Sequence, residues 1–232
     1  MEFEKGQLYH IYNRGNNSDQ VFYNRDNYLF FLDKIHIFIK PYCDIIAWTL
    51  MPNHFHLMVQ VNEVELVAST STDPFALSER VGKSNLSERV GKSNLSERVG
   101  GKKSREKVEE ITDIKYRTLN QSIGIMLRSY TNAIQKQENR TGSLFQGQTK
   151  AILLAENQGF VPQWFNTAFG TLINTTEYNS YAETCFHYIH NNAKTAHLVA
   201  ENEDWEFSSF RDYAGLRNGK LINKELGKEF FG

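Results

Sequence analysis

The chain has 232 residues, 40% hydrophobic and 13% aromatic, enough to bury a sizeable core in one domain or in one domain with an insertion. A formal net charge of −1 neither demands nor excludes nucleic acid, because a local basic stripe binds phosphate on a neutral protein. No apolar run approaches the roughly 20 residues that cross a bilayer, and "MEFEKGQLYH" carries no apolar signal core, so the expectation is a soluble, cytoplasmic chain without membrane contact.

The first predicted element is a strand over 7–14, "QLYHIYNR", rich in Tyr and Ile and followed by a "GNN" loop. Asp26 is the expected cap of a helix reaching about Lys40, with Leu29, Phe30, Leu32, Ile35, Ile37 and Phe38 on a broad apolar face and Pro41 as its stop. Residues 43–50 and 54–61 read as two strands joined by the tight "MPN" turn, an antiparallel hairpin. In the second strand, Phe55, Leu57, Val59 and Val61 line one face while His54, His56, Met58 and Gln60 line the other. One face builds core, and the other presents two imidazoles.

From about 66 to 110 the character changes. "LSERVGKSN" occurs at 77–85 and again at 86–94, and "LSERVG" restarts at 95. Each copy has only Leu and Val to bury, so the stretch reads as a flexible or weakly helical insertion, a duplicated linker, and its Lys102, Lys103, Arg105 and Lys107 as solvated linker charges, with contact to a phosphate backbone as the alternative. A helix is predicted over 114–136, with Leu119, Ile123, Met126, Leu127, Tyr130 and Ile134 at three- and four-residue steps. "ENRTGSLFQGQTKAILL" (138–154) supplies a turn at Arg140 to Gly142 and then a fourth strand over 144–154; the aromatics of 155–176 have no period and define no element. The next helix spans 179–199 with Asn179 as cap and Ala182, Phe186, Ile189 and Ala193 inward. An aromatic tail from "DWEFSSFRDYAG" packs back on the domain, with a Lys-rich end after Asn218 expected to fray, giving one domain over 1–215 and a tail over 216–232. Cys43 and Cys185 fit no metal spacing and read as buried reduced thiols.

Chemistry concentrates at three features: the two imidazoles on one strand face, Tyr188 on the late helix, and Asn192 one turn beyond it on the same helix face. Two imidazole nitrogens and an amide oxygen hold a divalent cation by one face and leave its other positions open to a phosphate oxygen. A phenol, with a reference pKa of about 10, attacks a phosphodiester when the charge that develops is stabilised.

Taken in order, "YHIYNRGNN", "MPNHFHLMV", "ENRTGSLFQ", "TCFHYIHNN" and "DWEFSSFRDYAG" resemble the single-tyrosine HUH transposases, in particular the group similar to REP-associated tyrosine transposases. The likeness extends over nearly the whole chain outside 66–110 and 155–176. It implies a ferredoxin-like α+β domain with an antiparallel sheet and helices packed on it. It also implies nicking and strand transfer on single-stranded DNA dependent on Mg²⁺ or Mn²⁺, with hairpin DNA ends as the substrate. Carried over by position, His54, His56 and Asn192 are metal ligands and Tyr188 is the nucleophile that forms a 5′-phosphotyrosine. The chain departs from the pattern at "HNNAKTAH", which lacks the usual proline, and at Gln148, where an Arg is frequent.

Arg14, Arg140 and Lys150 are the candidate phosphate contacts, and a second copy of the chain, in a homodimer, is a candidate partner beside DNA. Tyr130 competes as nucleophile but has Ile134 where an amide is needed one turn on, which favours packing. His187 and His190 compete with Asn192 as third ligand, and His10 on the first strand reads as structural. Two other functions stay open: a catalytically silent DNA-binding protein of the same fold, and a zinc hydrolase on the same histidine pair, since imidazole suits Zn²⁺.

Overall fold

The computed structural model describes residues 2–68, 115–154 and 180–231. The chain divides into two compact units, Met1–Glu65 with Thr118–Gly232, and Leu66–Arg117. Where the chain enters and leaves the second, β4 (Glu65–Val67) pairs with β5 (Tyr116–Thr118), and the Ala68 amide donates to the Lys115 carbonyl at 2.7 Å. The nine-residue repeats and the aromatic stretch 155–176 lie outside the described residues.

The first unit is built on alternation. β1 (Leu8–Arg14), β2 (Cys43–Met51), β3 (His54–Val61) and β6 (Lys150–Leu153) form an antiparallel sheet in the order β2-β3-β1-β6. With α1 (Arg25–Phe38) between β1 and β2 and α2 (Leu119–Gln137) before β6, the order is the β-α-β-β-α-β arrangement of ferredoxin-like α+β folds. α1 and α2 cover the sheet face that carries Ile11, Phe55 and Leu57. There the rings of Phe31, Tyr130, Phe55 and Phe145 interlock, with Phe31 to Tyr130 centroids 4.9 Å apart and edge-on.

α3 (Tyr181–Thr195) covers the opposite face, and Cys185, Phe186, Tyr188 and Ile189 pack there against Ile46, Ala47 and Met58. Both faces of the hairpin are therefore buried, so the histidines sit under a helix rather than on an open surface. Cys43 and Cys185 are both buried free thiols, and no described helix is long and apolar enough to cross a membrane.

The helix boundaries differ from the sequence expectation for local reasons. Asn24, not Asp26, caps α1, because its side-chain oxygen reaches the third helical amide, Asn27, at 3.0 Å; Asp26 then lies in the first turn, where its charge suits the helix dipole. α2 begins only at Leu119, after a Thr118–Gln121 capping box. Ser180 caps α3 through the Glu183 amide at 3.1 Å, while Asn179 lies outside the described residues. β6 is shorter than the predicted 144–154 strand, because the Asn13 side chain, donating to the Gln146 carbonyl and the Thr149 hydroxyl, takes over from the ladder.

The tail does not fray. Residues 207–209 run antiparallel along the outer edge of β2, with the Leu50 amide donating to the Phe207 carbonyl and the Ser209 amide to the Trp48 carbonyl, both at 2.9 Å. This covers an edge that would otherwise pair with another chain. After the short α4 (Phe210–Tyr213), α5 (Lys224–Phe231) docks Phe231 on Phe186 with centroids 4.8 Å apart. Arg217 grips Asp212 with two bonds, at 2.9 and 2.7 Å, and donates as well to the carbonyls of Glu206 and Ser208.

Candidate active site

Register puts the chemistry in rows. Thr49, His56, Tyr12 and Lys150 lie directly opposite one another on consecutive strands, as do Met51, His54 and Arg14 in the next row. Opposed residues of antiparallel strands share a face, so all seven look toward the α3 side of the sheet. The one-residue gap between His54 and His56 leaves their rings 5.0 Å apart and nearly perpendicular.

α3 delivers the other two groups. Tyr188 points its ring edge-on at His56, with centroids 5.3 Å apart, and at His10, 6.4 Å apart. One turn on, the Asn192 side-chain oxygen lies 3.3 Å from His54 Nε2. All four groups named from the sequence thus meet within one chain.

Burial sets their charge. Desolvation pulls His54 down to about 4, opposed by its bond to Asn192 and assisted by the Arg14 charge; His10 falls to about 3 for the same first reason, and His56 lies well below the ordinary value. At neutral pH the rings are uncharged and offer lone pairs. Burial pushes the Tyr188 hydroxyl up, while the Asn192 side chain works in the opposite direction.

The donors fit a divalent cation on two observations. First, His56 Nε2 is a buried nitrogen with no hydrogen-bond partner. Second, a neutral His54 has one N–H but faces two amide oxygens, Asn53 at 2.6 Å from Nδ1 and Asn192 at 3.3 Å from Nε2. A cation between Nε2 and the Asn192 oxygen removes that conflict, and the spacing matches adjacent ligands on an ion with bonds of about 2.1 Å, whose donors stand about 3 Å apart. Among the described residues no group of three His, Cys, Asp or Glu side chains that could hold a metal ion occurs.

Of the phosphate candidates, Arg14 lies opposite His54 at the partly exposed end of the group and bonds to the Ser18 hydroxyl, and exposed Lys150 ends the His56 row. Arg140 is engaged elsewhere, with the Tyr23 hydroxyl and with Asp19. The rival groups separate from the site. Tyr130 is fully buried under the opposite face and donates to the Val21 carbonyl at 2.7 Å; His190 bonds to the Ser209 hydroxyl at 2.8 Å, and His187 lines a cavity of about 240 Å³ with Phe210 and Phe231.

Sequence reasoning underrated His10 and Tyr12. His10 Nε2 lies 2.9 Å from His56 Nδ1, and the Tyr12 ring lies over His10 with centroids 4.9 Å apart. Their signal was present in the alternation of "YHIY", which puts both side chains on one face, but it becomes informative only with the register against β3.

No family model matches the sequence, and no curated protein matches it. Among solved structures, one described as the structure of a REP-associated tyrosine transposase bound to a REP hairpin is similar to this chain with a TM-score of 0.47 and 15% identity, over 94% of this chain and 86% of that chain.

Proposed function

We propose that the protein is a metal-dependent endonuclease and transposase that cuts single-stranded DNA through a covalent phosphotyrosine on Tyr188. The observation that carries the reading is the Asn192 side-chain oxygen 3.3 Å from His54 Nε2, beside the unpartnered Nε2 of His56, on whose ring the Tyr188 ring packs edge-on with centroids 5.3 Å apart. His54, His56 and Asn192 hold Mg²⁺ or Mn²⁺, whose charge polarises the scissile phosphate when bound. The Tyr188 oxygen bonds to phosphorus, the bond from phosphorus to the 3′ oxygen breaks, and the proton lost from the phenol is matched by the one that completes the departing 3′-hydroxyl. The Asn192 amide steadies the phenolate that forms, and Arg14 and Lys150 bind flanking phosphates.

An unpaired strand suits this geometry, because a tyrosine fixed on a helix needs a flexible backbone to meet it in line. Hairpin ends, which supply unpaired segments beside a duplex grip, are the proposed substrate, and the cytoplasm is the proposed setting. The chain supplies the whole set, so a second copy is not required for chemistry. A second reading, a silent DNA-binding protein, is favoured by one feature: Tyr188 is only 8% exposed.

The test is incubation of labelled hairpin oligonucleotides bearing single-stranded flanks with Mn²⁺ or Mg²⁺. A protein-linked DNA band that resists denaturant, needs the metal and disappears in Tyr188→Phe supports the nuclease. Binding without any adduct in the native protein supports the silent reading, and cleavage that leaves no protein on DNA supports the zinc hydrolase.

A further inference from the structure

His10 is a wholly buried polar residue at the centre of the sheet, one diagonal step from His56. The His10 and His56 centroids are 5.0 Å apart, while Nε2 of one ring and Nδ1 of the other are 2.9 Å apart. Those two distances together require the rings to meet edge to edge, so that lone pair and N–H lie in line. Only one proton fits between two nitrogens at that separation, and its owner fixes the other nitrogen of His56.

If the proton belongs to His10, His56 carries its own proton on Nε2 and has no lone pair there for a cation. If it belongs to His56 Nδ1, then Nε2, the buried nitrogen without a partner, carries a lone pair that a cation can take. The second arrangement requires an acceptor at Nδ1, and the one in reach is His10 Nε2.

We propose that His10 is a positioning residue that accepts a hydrogen bond from His56 Nδ1–H and so holds His56 in its metal-ligating tautomer. The role rests on the cation site described above and deepens it. His54 has the equivalent support from the Asn53 side-chain oxygen at its own Nδ1, 2.6 Å away, so each imidazole of the pair is oriented from behind. Tyr12, directly opposite His56 and lying over His10, closes the space around the contact.

The experiment measures Mn²⁺ affinity of the full chain by titration, for the native protein and for His10→Phe, His10→Gln and His54→Ala, and records the ring ¹⁵N shifts of His56 with Mg²⁺ bound. The expected results are an Nδ1–H form of His56 in the native protein, Mn²⁺ binding weakened about 10–100-fold in His10→Phe, and partial recovery in His10→Gln, whose amide oxygen can accept the same bond. A proton found on Nε2 of His56, or native affinity in both His10 variants while His54→Ala loses binding, overturns the role of His10 and leaves the cation site standing. Equal and negligible binding by the native protein and His54→Ala overturns both. The ¹⁵N measurement needs no substitution, so a His10 variant that fails to fold does not block the test.

Discussion

Lowering the pH is the sharpest global perturbation of this architecture, because the site and its surroundings bury histidines that the unfolded chain exposes. Burial holds His10 and His190 at about 3 and His54 at about 4 in the folded protein, against about 6.5 for the unfolded chain. Between those values the unfolded state binds more protons than the folded one, so stability falls as the pH drops from about 6.5 toward 4 and is flat above about 7.5. From pH 7.5 to 5.5 each ring contributes a loss of about 1 kcal/mol, and the three together about 3–4 kcal/mol, with His56 adding in the same direction. For a chain of this size that corresponds to a fall in Tm on the order of 10 °C. Thermal unfolding followed by circular dichroism in metal-free buffers at the two pH values measures it. A Tm that stays constant within a degree or two would show instead that water reaches these rings in the folded state. Mn²⁺ should raise Tm by a similar amount at pH 7.5 and at pH 5.5, because burial keeps the lone pairs of His54 and His56 free of protons in the folded protein at both values.

Tyr188→Phe keeps the ring that packs on His56 and loses the hydroxyl, so it should abolish the DNA adduct while changing stability by about 1 kcal/mol or less, measured by gel and by urea unfolding. Asn192→Ala should weaken Mn²⁺ binding by about 10-fold or more in a direct titration, because it removes one donor and leaves His54 Nε2 without its partner. Tyr130→Phe should do the reverse, costing about 1–3 kcal/mol by stranding the buried Val21 carbonyl while adduct formation per folded molecule stays native. Gly15→Ala should displace the loop after β1, since a Cβ there would stand 1.9 Å from the Asp19 carbonyl oxygen, and the Gly15 amide bonds to the carbonyl of Asn53, which orients His54. Weaker Mn²⁺ binding with a retained sheet signature is the expected outcome.

Local periodicity determined a good part of this protein. Alternation alone put His54 and His56 on one face of β3 and Phe55 and Leu57 on the other, and a four-residue step put Tyr188 and Asn192 on one face of α3; both follow from backbone geometry that needs no partner. The strand and helix order was legible for the same reason, and with it the α+β class. What periodicity does not carry is pairing over distance. Whether Asn24 or Asp26 caps α1 depended on which side chain met the Asn27 amide, and the polar-looking end after Asn218 became a packed helix because Phe186 offered Phe231 a ring. Only tertiary structure laid α3 over the histidine face and buried His56 to 4% exposure, when the sequence allowed that face to stay open. Only the register of β1 against β3 set His10 beside His56 and Arg14 opposite His54. Side-chain periods are fixed by each segment's own backbone, whereas register and helix cover are chosen by the energy of contacts between segments far apart in sequence.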